Sequence, residues 1–196
     1  PPTGPLIQEL NCTDPAILPH LFASAKKVQA LSANTPIKVR VRLIRNLREL
    51  FIDRAESISK IISSENGKPE FEAYANEVFA SIELMTYFAN KAPDLLADQE
   101  IPMNLMKHRE SYLHHWPLGV IAVITPWNYP LLMPIGELVM GVLAGNAVIF
   151  KPSEITPLIG IEIQKLFEDA GFPKGLVTTV IGDGKLGAAI IENRPA

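Results

Sequence analysis

The sequence predicts an α/β fold, with a helical first half followed by a doubly wound, Rossmann-like parallel sheet that is incomplete at its carboxyl end. Two observations predict it. Apolar residues recur every three or four positions through most of the first hundred residues. From Gly119 onward, three short apolar runs rich in β-branched residues alternate with helical segments. A strand–loop–helix order repeated three times implies parallel strands with helices on the sheet faces. The expected organisation is a helical part over 1–98, an extended segment over 99–117 and a truncated βαβ core over 118–196.

The helical half opens its clearest element at Thr35-Pro36, an N-cap followed by a proline at the first helical position. Ile37, Val41, Ile44, Leu47, Phe51, Ala55, Ile58 and Ile62 then line one face of an amphipathic helix that ends at Gly67 and Pro69. A second helix is expected from about Pro69 to Leu96, with Phe71, Tyr74, Val78, Ile82, Met85 and Phe88 on its apolar side. At that spacing, aromatic and methionine side chains pack a core rather than line a cofactor site.

Residues 99–117 are polar and irregular, and Ser111 to His115 reads as extended. His108, His114 and His115 lack a carboxylate or cysteine at ligand spacing, and adjacent strand residues point to opposite faces, so no metal site is expected there.

Val120 to Ile124 reads as a strand buried on both faces. A proline-rich loop leads from it into an apolar helix that stops at Gly145-Asn146. The next strand, Ala147 to Phe150, runs into Lys151-Pro152-Ser153-Glu154; Thr156-Pro157 opens a helix that closes at Gly171. A third strand, Leu176 to Ile181, meets Gly182-Asp183-Gly184 and a last short helix. Leu131 to Phe150 holds 20 residues with one charge, Glu137, the length of a membrane span. Pro134, Gly136, Gly141, Gly145 and Asn146 break it into a helix and a strand, so no membrane span is expected.

Charge and cysteine usage narrow the partners. With 47% hydrophobic and 20% charged residues and a net charge of -3, the chain is globular and offers no basic patch for nucleic acid. Cys12 is its single cysteine, which leaves no intrachain disulfide and suits a reducing, cytoplasmic setting. Asn11-Cys12-Thr13 fits a glycosylation triplet, but Pro1-Pro2-Thr3-Gly4-Pro5 lacks the regions of a secretory signal.

The distinctive loops all fall at the carboxyl ends of the strands, where parallel sheets bind ligands. In Thr125-Pro126-Trp127-Asn128-Tyr129-Pro130, two prolines stiffen the chain and Asn128 offers an uncharged amide donor. Such a donor suits an oxyanion that forms only during reaction; an Asn that merely satisfies a turn is the alternative. Lys151 and Glu154 stand three residues apart, either as a solvated pair or as the two groups that take a ribose, ammonium to one hydroxyl and carboxylate to both. A carboxylate there disfavours a 2′-phosphate and so favours NAD over NADP. Gly182 to Gly187 completes a G-x-G-x-x-G, whose glycines permit close approach of a pyrophosphate to a helix amino end, though a lone match is unspecific.

Taken together, these loops resemble the aldehyde dehydrogenase superfamily. Pro117-Leu118-Gly119-Val120 through Pro126-Trp127-Asn128-Tyr129-Pro130 is similar to its PLGV…PWN-aromatic-P signature. Leu143-Ala144-Gly145-Asn146 through Lys151-Pro152-Ser153-Glu154-Ile155-Thr156-Pro157 is similar to its LAAGN…KPSE-x-TP signature. The resemblance is sharp from Pro117 to Pro195 and looser over the helical half.

That resemblance implies NAD(P)-dependent oxidation of an aldehyde to a carboxylic acid in the intact protein. Asn128 would be the side-chain half of the oxyanion hole. Lys151, Ser153 and Glu154 would hold the adenosine ribose, Gly184 and Lys185 would lie by the adenine, and Ile124, Thr125, Pro126 and Trp127 would line the route to the nicotinamide ribose. The cofactor is expected to be NAD, with NADP possible. The extended 99–117 segment would help pair subunits into a homodimer or homotetramer. In the family a cysteine thiolate attacks the aldehyde and a glutamate-activated water releases the acid. Both would lie beyond residue 196, so the chain alone is expected to bind cofactor without turnover. Gly136 and Glu137 stand where many relatives carry a bulky aromatic and a Lys, which would widen the aldehyde pocket. The competing reading is a non-catalytic truncated relative that serves as a nucleotide-binding or oligomerisation module. A conventional Rossmann dehydrogenase fits less well, because its glycine loop should follow the first strand.

Overall fold

The structure, a computed structural model, describes residues 6–105 and 108–193. The Pro1–Pro5 opening lies outside the described residues. Asp14 caps a 3-10 turn, Pro15–Ile17, accepting from the Ala16 N–H at 2.9 Å, and the chain continues into α1, Leu18–Ser32. Three further helical stretches follow: α2 (Ile37–Asp53), α3 (Ala55–Asn66), and a continuous run made of α4 (Glu70–Ala73), a π-helical turn (Tyr74–Phe79) and α5 (Ala80–Leu95). A short antiparallel pair, β1 (Gln99–Glu100) with β2 (Tyr112–Leu113), precedes the α/β part.

That part runs β3 (Val120–Ile124), α6 (Leu132–Leu143), β4 (Ala147–Lys151), α7 (Pro157–Asp169), β5 (Val177–Thr179) and α8 (Gly184–Glu192). The three strands are parallel in the order β3-β4-β5, with Ile121 opposite Val148 and Ile124 opposite Lys151. Helices cover both sheet faces. A Cβ on Gly141 of α6 would meet Ile121 Cδ1 at 2.8 Å and Val148 Cγ2 at 3.3 Å. One on Gly187 of α8 would meet Lys151 Cδ at 3.7 Å and Ile124 Cδ1 at 3.9 Å. Residues 121 and 124 differ in strand parity, as do 148 and 151, so α6 and α8 lie on opposite faces. This is the doubly wound arrangement expected, with α2 packed outside α6 and α7.

The central strand β4 is buried throughout, as its apolar run predicts. The outer strand β3 is not: Ala122 and Ile124 are exposed and only Val123 is fully buried. Its apolar run predicts burial on both faces, but among the described residues β3 pairs only with β4 and forms one edge of the sheet. Chain punctuation agrees with expectation where glycine is needed. Gly145 has φ +89° between α6 and β4, and Asn146 fills the gap beside it, accepting from Gly119 N–H at 3.0 Å and donating to Gly141 O at 3.2 Å. The Leu131–Phe150 stretch is accordingly a helix and a strand; among the described residues no helix is long and apolar enough to cross a membrane.

Three corrections concern the helical half. Helix α1 escapes the pattern above, although Leu18, Phe22 and Ala25 are buried at helical spacing. The expected single helix from Ile37 breaks at Arg54, whose guanidinium bonds Asp169 of α7 at 2.7 Å. Unbroken to Asn66, that helix would be about 45 Å long, too long to keep both its ends on one small core. Phe71 and Tyr74 are exposed rather than packed, at 78% and 48%. Val78 and Met85 are buried as expected, but the rest of the buried face is Ala73, Glu77, Ser81, Ala89 and Ala92, two of which are polar.

Candidate functional site

Three loops converge at the carboxyl end of the sheet. The Thr125 N–H donates to the Lys151 carbonyl at 3.2 Å, extending the β3–β4 ladder by one rung. Lys151 is 3% exposed; its ammonium donates to Pro152 O at 3.1 Å and stands 3.6 Å from the Glu154 carboxylate, which is itself exposed. Ser153 is buried, and its hydroxyl accepts from the Ile155 N–H at 3.2 Å. The Thr125 hydroxyl is buried without a partner. The turn is packed tightly against α7, where a Cβ on Gly160 would overlap the Pro152 ring.

The third loop behaves differently from a phosphate cradle. Asp183 caps α8, accepting from Lys185 N–H at 2.9 Å and Leu186 N–H at 3.4 Å. In this conformation a carboxylate already takes the amides that the G-x-G-x-x-G pattern suggested for a pyrophosphate. A Cβ on Gly184 would meet nothing within 4 Å, so open space lies beside that turn.

The loop carrying Asn128 is anchored from the helical half. The Asn66 amide donates to Trp127 O at 3.4 Å, and the Lys68 ammonium donates to Asn128 O at 3.1 Å. The same ammonium lies 4.5 Å from the centre of the Tyr129 ring and pairs with Glu77. Glu77, 0% exposed, accepts from the Leu131 N–H at 2.9 Å and the Leu132 N–H at 3.4 Å, which caps α6. Glu65 does the same for α7, accepting from Leu158 N–H at 2.6 Å and Ile159 N–H at 2.9 Å. Thr156-Pro157 opens α7 as expected, with Thr156 at the N-cap making no side-chain cap bond.

Beside this loop runs an apolar cleft of about 540 Å³, lined by Ile124, Thr125 and Pro126, by Met133, Gly136, Glu137 and Met140 of α6, and by Leu84 and Phe88 of α5. That is within the size range of small-molecule sites. Gly136 does more than leave room, since a Cβ there would stand 3.1 Å from Leu84 Cδ2. The histidines lie elsewhere: His114 bonds Asp98 at 2.7 Å on the surface, and no group of three possible metal ligands occurs among the described residues.

With the fold and these loops in place, the sequence model of the Aldehyde dehydrogenase family matches residues 1–195. The chain belongs to the aldehyde dehydrogenase family. It is 32% identical to 4,4'-diapolycopene aldehyde oxidase of Methylomonas sp over 100% of this chain and 37% of that protein. It is 33% identical to malonate-semialdehyde dehydrogenase 2 of Bacillus mycoides (strain KBAB4) over 98% of this chain and 39% of that protein. Among solved structures, an aldehyde dehydrogenase from Brucella melitensis biovar abortus 2308 superposes with TM-score 0.91 at 29% identity, over 97% of this chain and 39% of that one. PnpE in complex with nicotinamide adenine dinucleotide superposes with TM-score 0.90 at 30% identity, over 97% of this chain and 39% of that one. This aldehyde dehydrogenase chain therefore spans under two fifths of the length of these relatives.

Of the residues predicted from sequence, Ile124, Thr125, Lys151, Ser153, Glu154, Gly184 and Lys185 gather at one end of the sheet. Pro126, Trp127 and Asn128 are exposed on the neighbouring loop. The sequence reading missed Glu65, Asn66, Lys68 and Glu77. A signal existed for the first: Ile58, Ile62 and Glu65 fall on one helical stripe, which puts a carboxylate on the core side.

Burial raises the Glu65 carboxyl above its ordinary 4.5, with the Leu158 and Ile159 amides opposing. A carboxyl with a raised folded pKa keeps a proton that the unfolded chain has released. Its contribution is thus greatest below 4.5 and is lost as pH rises through the folded value. The stability advantage of the native protein over Glu65→Gln should therefore be largest in acid and shrink toward neutrality. Melting temperatures of the two proteins across that range test it; a constant difference would remove Glu65 as the cause.

Proposed function

We propose that the full-length protein oxidises an aldehyde to a carboxylic acid with NAD, and that this chain supplies the cofactor seat and the amide that stabilises the reacting oxygen. One observation carries the reading: the buried Lys151 ammonium stands 3.6 Å from the exposed Glu154 carboxylate at the carboxyl end of the sheet. Those groups fit a nucleotide ribose, which needs donors and an acceptor side by side. Lys151 donates to a ribose hydroxyl, Glu154 accepts from the pair and Ser153 keeps the turn closed. Gly184 and Lys185 flank the adenine, and Ile124, Thr125, Pro126 and Trp127 face the nicotinamide side. When bound, the nicotinamide supplies the hydride acceptor. Asn128 donates its side-chain amide to the aldehyde oxygen as that oxygen gains charge. The aldehyde approaches along the cleft beneath Met133 and Gly136, where the missing aromatic widens the entrance.

The same reading assigns 1–98 and 118–196 to cofactor binding and 99–117 to an arm that joins subunits into a dimer or tetramer. Leu105 and Trp116 support the arm, being large apolar side chains exposed at 96% and 84%. The reducing, cytoplasmic setting belongs to the same proposal.

The test is aldehyde-dependent NADH formation by the full-length protein, repeated with NADP and with Glu154→Ala. Turnover with NAD, an NAD preference that falls at least several-fold in Glu154→Ala, and no turnover by residues 1–196 alone are the expected results. Tight NAD binding without any aldehyde oxidation would favour the nucleotide-binding module instead.

A further inference from the structure

We propose that Lys68 and Glu77 are positioning residues for Asn128, acting as a charge-paired clamp that holds its loop in the reactive geometry. The inference rests on the proposed role of Asn128. Between Pro126 and Pro130 the loop has three residues, and its external anchors come from one turn and one carboxylate. The Asn66 side-chain amide donates to Trp127 O, and its Oδ1 accepts from the Lys68 N–H at 2.9 Å, so the turn is closed on itself. Lys68 then divides its ammonium among Glu77, Asn128 O and the face of Tyr129. An ammonium has three protons, and this geometry employs it in three directions. Glu77 fixes the far side of the loop through the Leu131 and Leu132 amides.

The charges balance in a place where neither could stand alone. Glu77 is 0% exposed and Lys68 14% exposed, and the amino end of α6 adds positive potential beside the carboxylate. The clamp bonds the backbone of residue 128 and the ring of residue 129, leaving the Asn128 amide free. Glu77 also sits within the π-helical turn, on the buried face with Ala73 and Ser81. Helical irregularities of this kind often accompany functional positions. Arginine is a poor replacement for Lys68, since a planar fork cannot reproduce three diverging contacts.

The experiment is a double-mutant cycle in the full-length protein, read as kcat for aldehyde oxidation with NAD. Lys68→Met should lower kcat about 10- to 100-fold, the scale of a misplaced catalytic group, with KM for NAD changed less than about twofold. In an Asn128→Ala background the same substitution should cost less than about twofold, because there is no amide left to misplace. Equal losses in both backgrounds would overturn the proposal and leave Lys68 a purely structural residue. Should Lys68→Met fail to fold, Lys68→Arg decides the matter: a several-fold kcat loss confined to the Asn128 background supports the clamp, and native turnover overturns it. Absence of turnover in the unsubstituted protein would instead strike the proposed function, and the clamp with it.

Discussion

Asn128→Ala in the full-length protein should lower kcat for aldehyde oxidation by about 10²- to 10³-fold, or about 3–4 kcal/mol, with KM for NAD little changed. The magnitude follows from where the donor stands. Asn128 is exposed at the mouth of a parallel sheet, with its backbone carbonyl already held by Lys68, so its side chain has no structural duty to perform. A neutral amide gains most when its acceptor is charged, and the aldehyde oxygen carries full charge only as the carbonyl is attacked. Its loss therefore appears in kcat rather than in ground-state binding. Steady-state kinetics of Asn128→Ala and Asn128→Asp check this, the second being at least as slow because a carboxylate repels the oxyanion. Unchanged kcat would return Asn128 to the role of a turn residue.

Glu77→Ala should cost about 3–5 kcal/mol of stability, the loss seen when one member of a buried ion pair is removed. Three groups lose their partner together. The Lys68 ammonium, 14% exposed, loses its countercharge and keeps only Asn128 O and the Tyr129 ring, and the Leu131 and Leu132 amides lose the acceptor that caps α6. Glu77→Gln should cost less, since its carbonyl still accepts from one or both amides while the charge is lost. The difference between the two variants in urea denaturation separates the cap from the ion pair. A loss for Glu77→Ala no larger than that of an exposed pair, about 1 kcal/mol or less, would show that water replaces the carboxylate freely.

Glu77 and Glu65 also mark the limit of what sequence patterns reveal. Both lie in amphipathic helices, and each reaches across the chain to cap a helix more than fifty residues away. Position on the stripe of Ile58 and Ile62 hints that Glu65 is buried, but nothing local names the partners of either carboxylate, because their amides come from a distant helix end. The misplacement of Phe71 and Tyr74 has a related cause. The α-helical period places them in line with Val78, whereas the π turn advances the buried face by one position and turns them outward.

What the sequence determined by itself was the alternation of strands and helices after Gly119, the turns at Gly67, Gly145 and Gly171, and the loops at the strand ends. These are local matters. β-branched runs, helix caps and positive-φ glycines act within a few residues, so their chemistry is written in the order of the chain. Tertiary structure alone decided that β3 is a half-exposed edge, that Asp183 closes the amino end of α8, and that one turn at 65–68 holds two loops of the site. Each depends on which groups meet across long stretches of chain. An apolar run reads alike in a central and an edge strand, and a buried charge becomes recognisable only once its partners are beside it.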